Sequence, residues 1–239
     1  MIRRLNRSFA HPTRNRLLIG LALFGPWLTA AYAGEIRSHV TITHGLTKKR
    51  VTLPAYQLRG VPVKAPRQIP ASVDELSRVA IYLEGTGLRA GTPLHLEMKQ
   101  QNRLFEPDIL VVPAGSTIAF PNSDPIFHNV FSLSKVKQFD LGYYGAGQSR
   151  TQRFDKPGVV QVYCHLHPNM NAAVLVVASA WYGRPGADGI FVLAGVPAGS
   201  HRIVAWHKSA GFLLKKVQVP ENGSVDIELS LPLLGKQED

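Results

Sequence analysis

The sequence has one cysteine, Cys164. That excludes an internal disulfide framework, a metal centre built on two cysteines and any Cys-x-x-Cys redox pair. Charged residues are sparse at 18%, and acids are the scarcer sign, 16 against 27 Lys and Arg. No apolar run reaches the roughly 20 residues that a bilayer crossing needs. After residue 33 no stretch keeps a helical period for as many as about ten residues. No Ser/His/Asp set, phosphate-cradling loop or pair of catalytic carboxylates stands out, so an enzyme is not expected. Turn formers are plentiful, with 21 Gly and 17 Pro beside a 45% hydrophobic fraction. That composition is globular rather than disordered, and 239 residues suffice for one or two domains with a real core.

The positive charge is uneven. Of a net +11, five arginines (Arg3, Arg4, Arg7, Arg14, Arg16) fall in the first 33 residues, which hold no acid. This basic stretch leads into an apolar run from Leu17 to Phe24, continuing to Leu28, and then into Ala31-Tyr32-Ala33. Basic, apolar and A-x-A regions in that order are the pattern of a secretory signal. Residues 1–33 are expected to be an export signal cut after Ala33, the alternative being an uncleaved anchor. The Arg3-Arg4 pair alone is weak evidence for a twin-arginine route. Export places the mature chain in the periplasm, with no stable membrane span after cleavage and no nucleic acid among its expected partners. It also places a lone thiol in an oxidising compartment, so something should occupy that thiol.

Short apolar runs punctuated by Gly, Pro, Asn and Asp recur along the mature chain, which predicts an all-β fold. Candidate strands are 79–84, 94–99, 109–112, 117–120, 159–164, 172–178, 189–193, 201–207, 213–219 and 224–229. Turn chemistry falls between them, as in Pro113-Ala114-Gly115-Ser116, Lys156-Pro157-Gly158 and Ala187-Asp188-Gly189. The Pro-rich stretch 60–75 is expected to be a surface loop. Met98 is expected in the core.

The informative segment is Tyr163-Cys164-His165-Leu166-His167-Pro168-Asn169-Met170. It offers a thiolate, an imidazole and a thioether within seven residues. A trigonal His2Cys set with a long axial Met is the donor set of a blue-copper site. The second imidazole must come from elsewhere, and His128 in Phe127-His128-Asn129-Val130 is the best candidate, about 36 residues upstream. Separately, each residue has a plainer role: a lone Cys or Met is usually core, and a lone His usually lies in a turn or on the surface. Together and in order, they favour a metal. Zinc could use the nitrogen and thiolate donors, but Met is a poor zinc ligand. His165 is a candidate additional ligand whose plainer reading is a solvated loop residue.

Cys-x-x-His-x-x-Met with His-Asn-Val upstream resembles the cupredoxins, with ligand-loop spacing nearest the amicyanin type. Residues 94–178 also resemble plastocyanin-like, methylamine-utilisation-type exported proteins, through Phe105-Glu106-Pro107, Val112-Pro113-Ala114-Gly115-Ser116-Thr117, Phe120-Pro121-Asn122 and Phe154-Asp155-Lys156-Pro157-Gly158. The resemblance implies an eight-stranded Greek-key sandwich holding one mononuclear type 1 copper. It implies the ligands His128, Cys164, His167 and Met170, with Asn129 bracing the Cys loop. Other copper classes fail on counting. A binuclear copper site needs two cysteines, a multicopper oxidase needs several His-x-His pairs, and a copper nitrite reductase needs a second copper-binding domain.

Downstream, Ala187-Asp188-Gly189-Ile190-Phe191-Val192-Leu193, Val196-Pro197-Ala198-Gly199 and Arg202-Ile203-Val204-Ala205-Trp206-His207 resemble the carboxypeptidase-regulatory-like β-sandwich. Its preceding strand looks like 79–85. The expected organisation is a signal at 1–33, an N-terminal β segment at 34–92 belonging to this second, smaller sandwich, the cupredoxin at 93–179, and the second sandwich at 180–232. The cupredoxin is then an insertion, the alternative being a tandem order. His201 and His207 alternate with apolar neighbours and are expected at the surface. So are Lys215-Lys216 and Lys48-Lys49-Arg50. The implied role is periplasmic electron transfer with a redox protein such as a c-type cytochrome or a dehydrogenase. The alternative is copper binding, delivery or accessory service to a larger redox complex.

Overall fold

Alternating burial converts this composition into strands. The computed structural model describes residues 33–43 and 75–231. The expected export signal up to Tyr32, the Pro-rich stretch up to residue 74 and the Lys48-Lys49-Arg50 cluster lie outside the described residues. In chain order the strands are β1 (Ala33–Ile42), β2 (Val79–Glu84), β3 (His95–Glu97), β4 (Lys99–Gln101), β5 (Leu104–Glu106), β6 (Ile109–Pro113), β7 (Ser116–Pro121), β8 (His128–Ser134) and β9 (Lys137–Tyr144). They continue with β10 (Ser149–Phe154), β11 (Gly158–Tyr163), β12 (Asn171–Val177), β13 (Tyr182–Gly183), β14 (Ile190–Pro197), β15 (Gly199–His207), β16 (Gly211–Val219) and β17 (Ser224–Leu231). The fold is all-β, and among the described residues no helix is long and apolar enough to cross a membrane.

Two sandwiches result. In the first, a five-stranded sheet ordered β6-β12-β11-β8-β9 packs across a three-stranded sheet ordered β10-β7-β3. Their shared core includes Met98, Ile118, Phe120, Val130, Phe154 and Val162. The β4–β5 hairpin joins this sandwich through a bridge between Gln100 and Asn122. In the second, sheet β14-β1-β17 packs on sheet β13-β2-β15-β16, around Ile36, Val40, Leu83, Ile203 and Val217. Strands β1 and β2 precede the first sandwich in sequence, yet they pair with β14, β17, β13 and β15, which follow it. A third apolar cluster of Ala80, Ile109, Ala173, Leu175, Val177 and Trp206 joins the two. Strand β12 is therefore covered on both faces, and six of its seven residues are buried, the unbroken apolar pattern of a strand without a wet side.

The structure adds strands at β1, β5, β8, β9, β10 and β13 that apolar runs alone did not indicate. Strand β10 reads SRTQRF and is mostly exposed at a sheet edge. Strand β8 starts with buried polar residues, His128 and Asn129. In β1 a polar residue, Ser38, takes a buried position in the apolar alternation, and its hydroxyl donates to the Phe191 carbonyl at 3.2 Å. The surface expectation for His201 and His207 is corrected, because both are buried. Strand β15 lies inside its sheet, between β2 and β16. His207 Nε2 pairs with Glu75 at 3.0 Å, and His201 Nε2 donates to the Pro197 carbonyl at 2.7 Å.

Candidate metal centre

Strands β8 and β11 are neighbours in the five-stranded sheet, with Phe131 opposite Tyr163. That adjacency brings His128, the first residue of β8, beside Cys164, which follows the last residue of β11. The chain then turns tightly from Cys164 to Met170. The Cys164 N–H donates to the Met170 carbonyl at 3.2 Å, and the Met170 N–H donates to the His167 carbonyl at 2.9 Å. Strand β12 carries the chain away. The loop thus projects His167 back over Cys164.

His128, Cys164 and His167 form the one candidate metal-binding group of His, Cys and acidic residues among the described residues. Nδ1 of His128 lies 3.9 Å from the Cys164 sulfur, Nδ1 of His167 lies 3.7 Å from it, and the two nitrogens are 3.1 Å apart. A triangle of those sides has its centre about 2.1 Å from every corner. Bonds from a metal ion to imidazole nitrogen and thiolate sulfur run about 2.0–2.3 Å, so one ion fits. The donors, two nitrogens and a soft sulfur, suit copper. Met170 is buried and belongs to the same apolar cluster as Cys164. His165 is not part of the triangle. Its half-exposed ring stacks on Phe131, with centroids 3.7 Å apart and planes 4° apart, and Nε2 stands 4.0 Å from an Asp140 carboxylate oxygen.

Asn129 ties the two halves of the site together. Its N–H points at the Cys164 sulfur at 3.5 Å, its side-chain oxygen accepts the His165 N–H at 3.4 Å, and its Nδ2 donates to Asp140 at 2.7 Å. The charges are tuned in opposite directions. Burial opposes a charged His128, but hydrogen bonds to Cys164 and Asp124 outweigh it and hold the imidazole pKa above its usual value. Burial also opposes a Cys164 thiolate. There the His128 hydrogen bond and the N–H groups of Asn129, Leu166 and His167 win, and the thiol falls below its usual range. Burial, then the neighbouring charges of His128 and Arg103, push His167 down, which favours the neutral, ligating imidazole.

Three contributors were not legible in the sequence. Asp124 contacts the His128 ring, Asp140 fixes Asn129, and Arg103 adds its charge beside His167. Only Asp124 left a trace, in the turn-forming run Asn122-Ser123-Asp124-Pro125 just before His128. Around the site Phe127, Tyr143 and Leu166 are exposed.

No protein-family model matches the chain, and no curated protein matches it. Solved structures match part of it. A Cu-containing nitrite reductase (NirK) from Thermus scotoductus SA-01 is 24% identical at a TM-score of 0.34, over 40% of this chain and 25% of that one. The chain thus spans a quarter of that protein's length. A purple cupredoxin from Nitrosopumilus maritimus is 23% identical at a TM-score of 0.32, over 35% of this chain and 99% of that one. A reduced single-site mutant of amicyanin is 19% identical at a TM-score of 0.34, over 41% of this chain and 98% of that one. On its own geometry, the chain carries a candidate His2Cys metal centre at one end of a β-sandwich.

Proposed function

We propose that this chain is an exported type 1 copper protein that passes single electrons between redox partners in the periplasm, with His128, Cys164, His167 and Met170 holding the metal. The observation that carries the reading is the triangle of two imidazole nitrogens and one thiol around a point at bonding distance from all three. Copper bound there would supply one-electron exchange between its cupric and cuprous states. The chain's own residues do the rest. The Asn129 N–H holds the sulfur of Cys164, and two adjacent strands fix the relative placement of His128 and Cys164, so the cage changes little when charge changes. Phe127 and Leu166, both exposed, offer apolar surface for a c-type cytochrome or dehydrogenase. The pairing of β1 and β2 with later strands supports the further reading that the copper-binding sandwich is an insertion in the second one.

The test is reconstitution with Cu(II). An intense visible thiolate-to-copper absorption is expected, lost in Cys164→Ser. Voltammetry should then show a fast, reversible one-electron couple. Absence of the band would overturn the copper assignment. A band without a fast couple would leave copper storage or delivery as the role.

A further inference from the structure

The loop between β7 and β8 brings a carboxylate to the one ring edge of His128 that the triangle leaves over. Asp124 is 7% exposed. Its Oδ2 lies 2.8 Å from Nε2 of His128, while Nδ1, across the ring, faces Cys164 and His167. The carboxylate also accepts two backbone N–H groups, from Asn102 on Oδ1 at 2.7 Å and from Arg103 on Oδ2 at 2.9 Å. Those two residues sit at φ 54° and 56°, the only positive values outside glycine among the described residues. Left-handed backbone costs energy for side-chain-bearing residues. Here it turns two adjacent N–H groups onto a single carboxylate. Asn122 holds the other side: its Oδ1 accepts the Asp124 N–H at 3.0 Å, and its Nδ2 donates to the carbonyls of Ile126 at 2.8 Å and Tyr144 at 3.1 Å. Every neighbour restrains Asp124, and its remaining contact is the imidazole.

We propose that Asp124 is a positioning residue that keeps Nδ1 of His128 turned toward Cys164 and, by accepting Nε2–H, makes Nδ1 a stronger donor favouring the oxidised ion over the reduced one. The proposal rests on the copper reading above. A ligating imidazole whose other N–H meets a carboxylate is fixed in tautomer and orientation and is more basic. Greater donor strength favours the ion of higher charge, because the attraction scales with charge. A merely structural Asp124 would cap the 102–103 turn and leave the balance between the two ions alone.

The experiment compares wild type, Asp124→Asn and Asn102→Gly, each loaded with Cu(II) and Cu(I). In Asp124→Asn, Cu(II) affinity should fall about 10–100-fold and Cu(I) affinity by less, so the reduction potential rises. Asn102→Gly keeps the N–H and relaxes the left-handed strain, so its potential should match wild type. A folded Asp124→Asn with an unchanged Cu(II)/Cu(I) affinity ratio overturns the proposal. So does Asn102→Gly moving the potential as far as Asp124→Asn does, since turn geometry would then set it. Should Asp124→Asn fail to fold, nitrogen-15 spectra of Cu(I)-loaded wild type decide. His128 should show a metal-bound Nδ1 and a slowly exchanging Nε2 proton, and a freely exchanging one refutes the contact. Wild type that takes up no copper defeats the underlying functional reading, an outcome distinct from these.

Discussion

Met170 is the proposed donor with the least geometric support from its own side chain and the most from its backbone. Its main chain closes the ligand loop in both directions, so the loop does not need the thioether to hold its shape. Met170→Leu nearly conserves volume in the core and should cost under about 1.5 kcal/mol. Three donors remain, so copper should still bind. The cuprous ion tolerates low coordination better than the cupric ion does, so loss of a weak axial donor should raise the potential. Voltammetry and metal content of the purified variant check both halves. A variant that purifies without copper would show the sulfur to be essential for retention. At this scale the triangle of His128, Cys164 and His167 was legible, because Cys164 and His167 stand with Met170 within seven residues, a grouping with few shared uses other than a soft metal. Asp124, Asp140 and Arg103 were not, since each acts only through a neighbour brought up by the fold. His201 and His207 show the complementary failure. Period two in β15 says which residues share a face, but not that the face is covered.

Among elements, β1 shows how context decides what pattern cannot. Its residues alternate only loosely, yet it is the central strand of its sheet, antiparallel to β14 and parallel to β17. Runs of Val, Ile and Leu found β2, β12 and β15, whereas β10, mostly exposed and polar, had almost no apolar signal, and β9 offered only Phe139 and Leu141 alternating with polar residues rather than an apolar run. Strand β14 is set against β1 by one turn. Gly189 lies there at φ +79°, and a Cβ on it would stand 2.5 Å from the Val40 carbonyl oxygen. The Val40 N–H donates to the Gly189 carbonyl at 2.8 Å, so the backbones cannot separate without losing that bond. Gly189→Ala should therefore destabilise the protein by about 1–3 kcal/mol from the left-handed conformation alone, with the clash adding to it. Denaturant titration of the metal-free protein measures the loss, and an unchanged midpoint would mean that the turn relaxes without cost. The distances of the His2Cys triangle do not involve this turn, so the copper absorption should keep its shape.

At the scale of the molecule, the seam between the sandwiches is the route by which metal binding would reach residues far from the site. Trp206, 3% exposed, packs with Ala80 from the second sandwich and with Ile109, Ala173, Leu175 and Val177 from the first. Lys208, just beyond it, bonds both the carbonyl and the side-chain oxygen of Asn171, the residue after Met170. Strand β12, leaving the metal loop, is thus gripped by the second sandwich along its outer face. A metal that binds only the folded form stabilises by mass action, about 4.1 kcal/mol at a free concentration 1,000 times Kd. If the seam transmits that gain, copper should raise the melting of both sandwiches in a single transition. Trp206→Ala removes most of the ring contact and should cost about 3–5 kcal/mol. It should also uncouple the two, so that calorimetry shows two transitions and copper raises only one of them. Two separate transitions in wild type, with copper moving one, would show instead that the seam is contact without coupling.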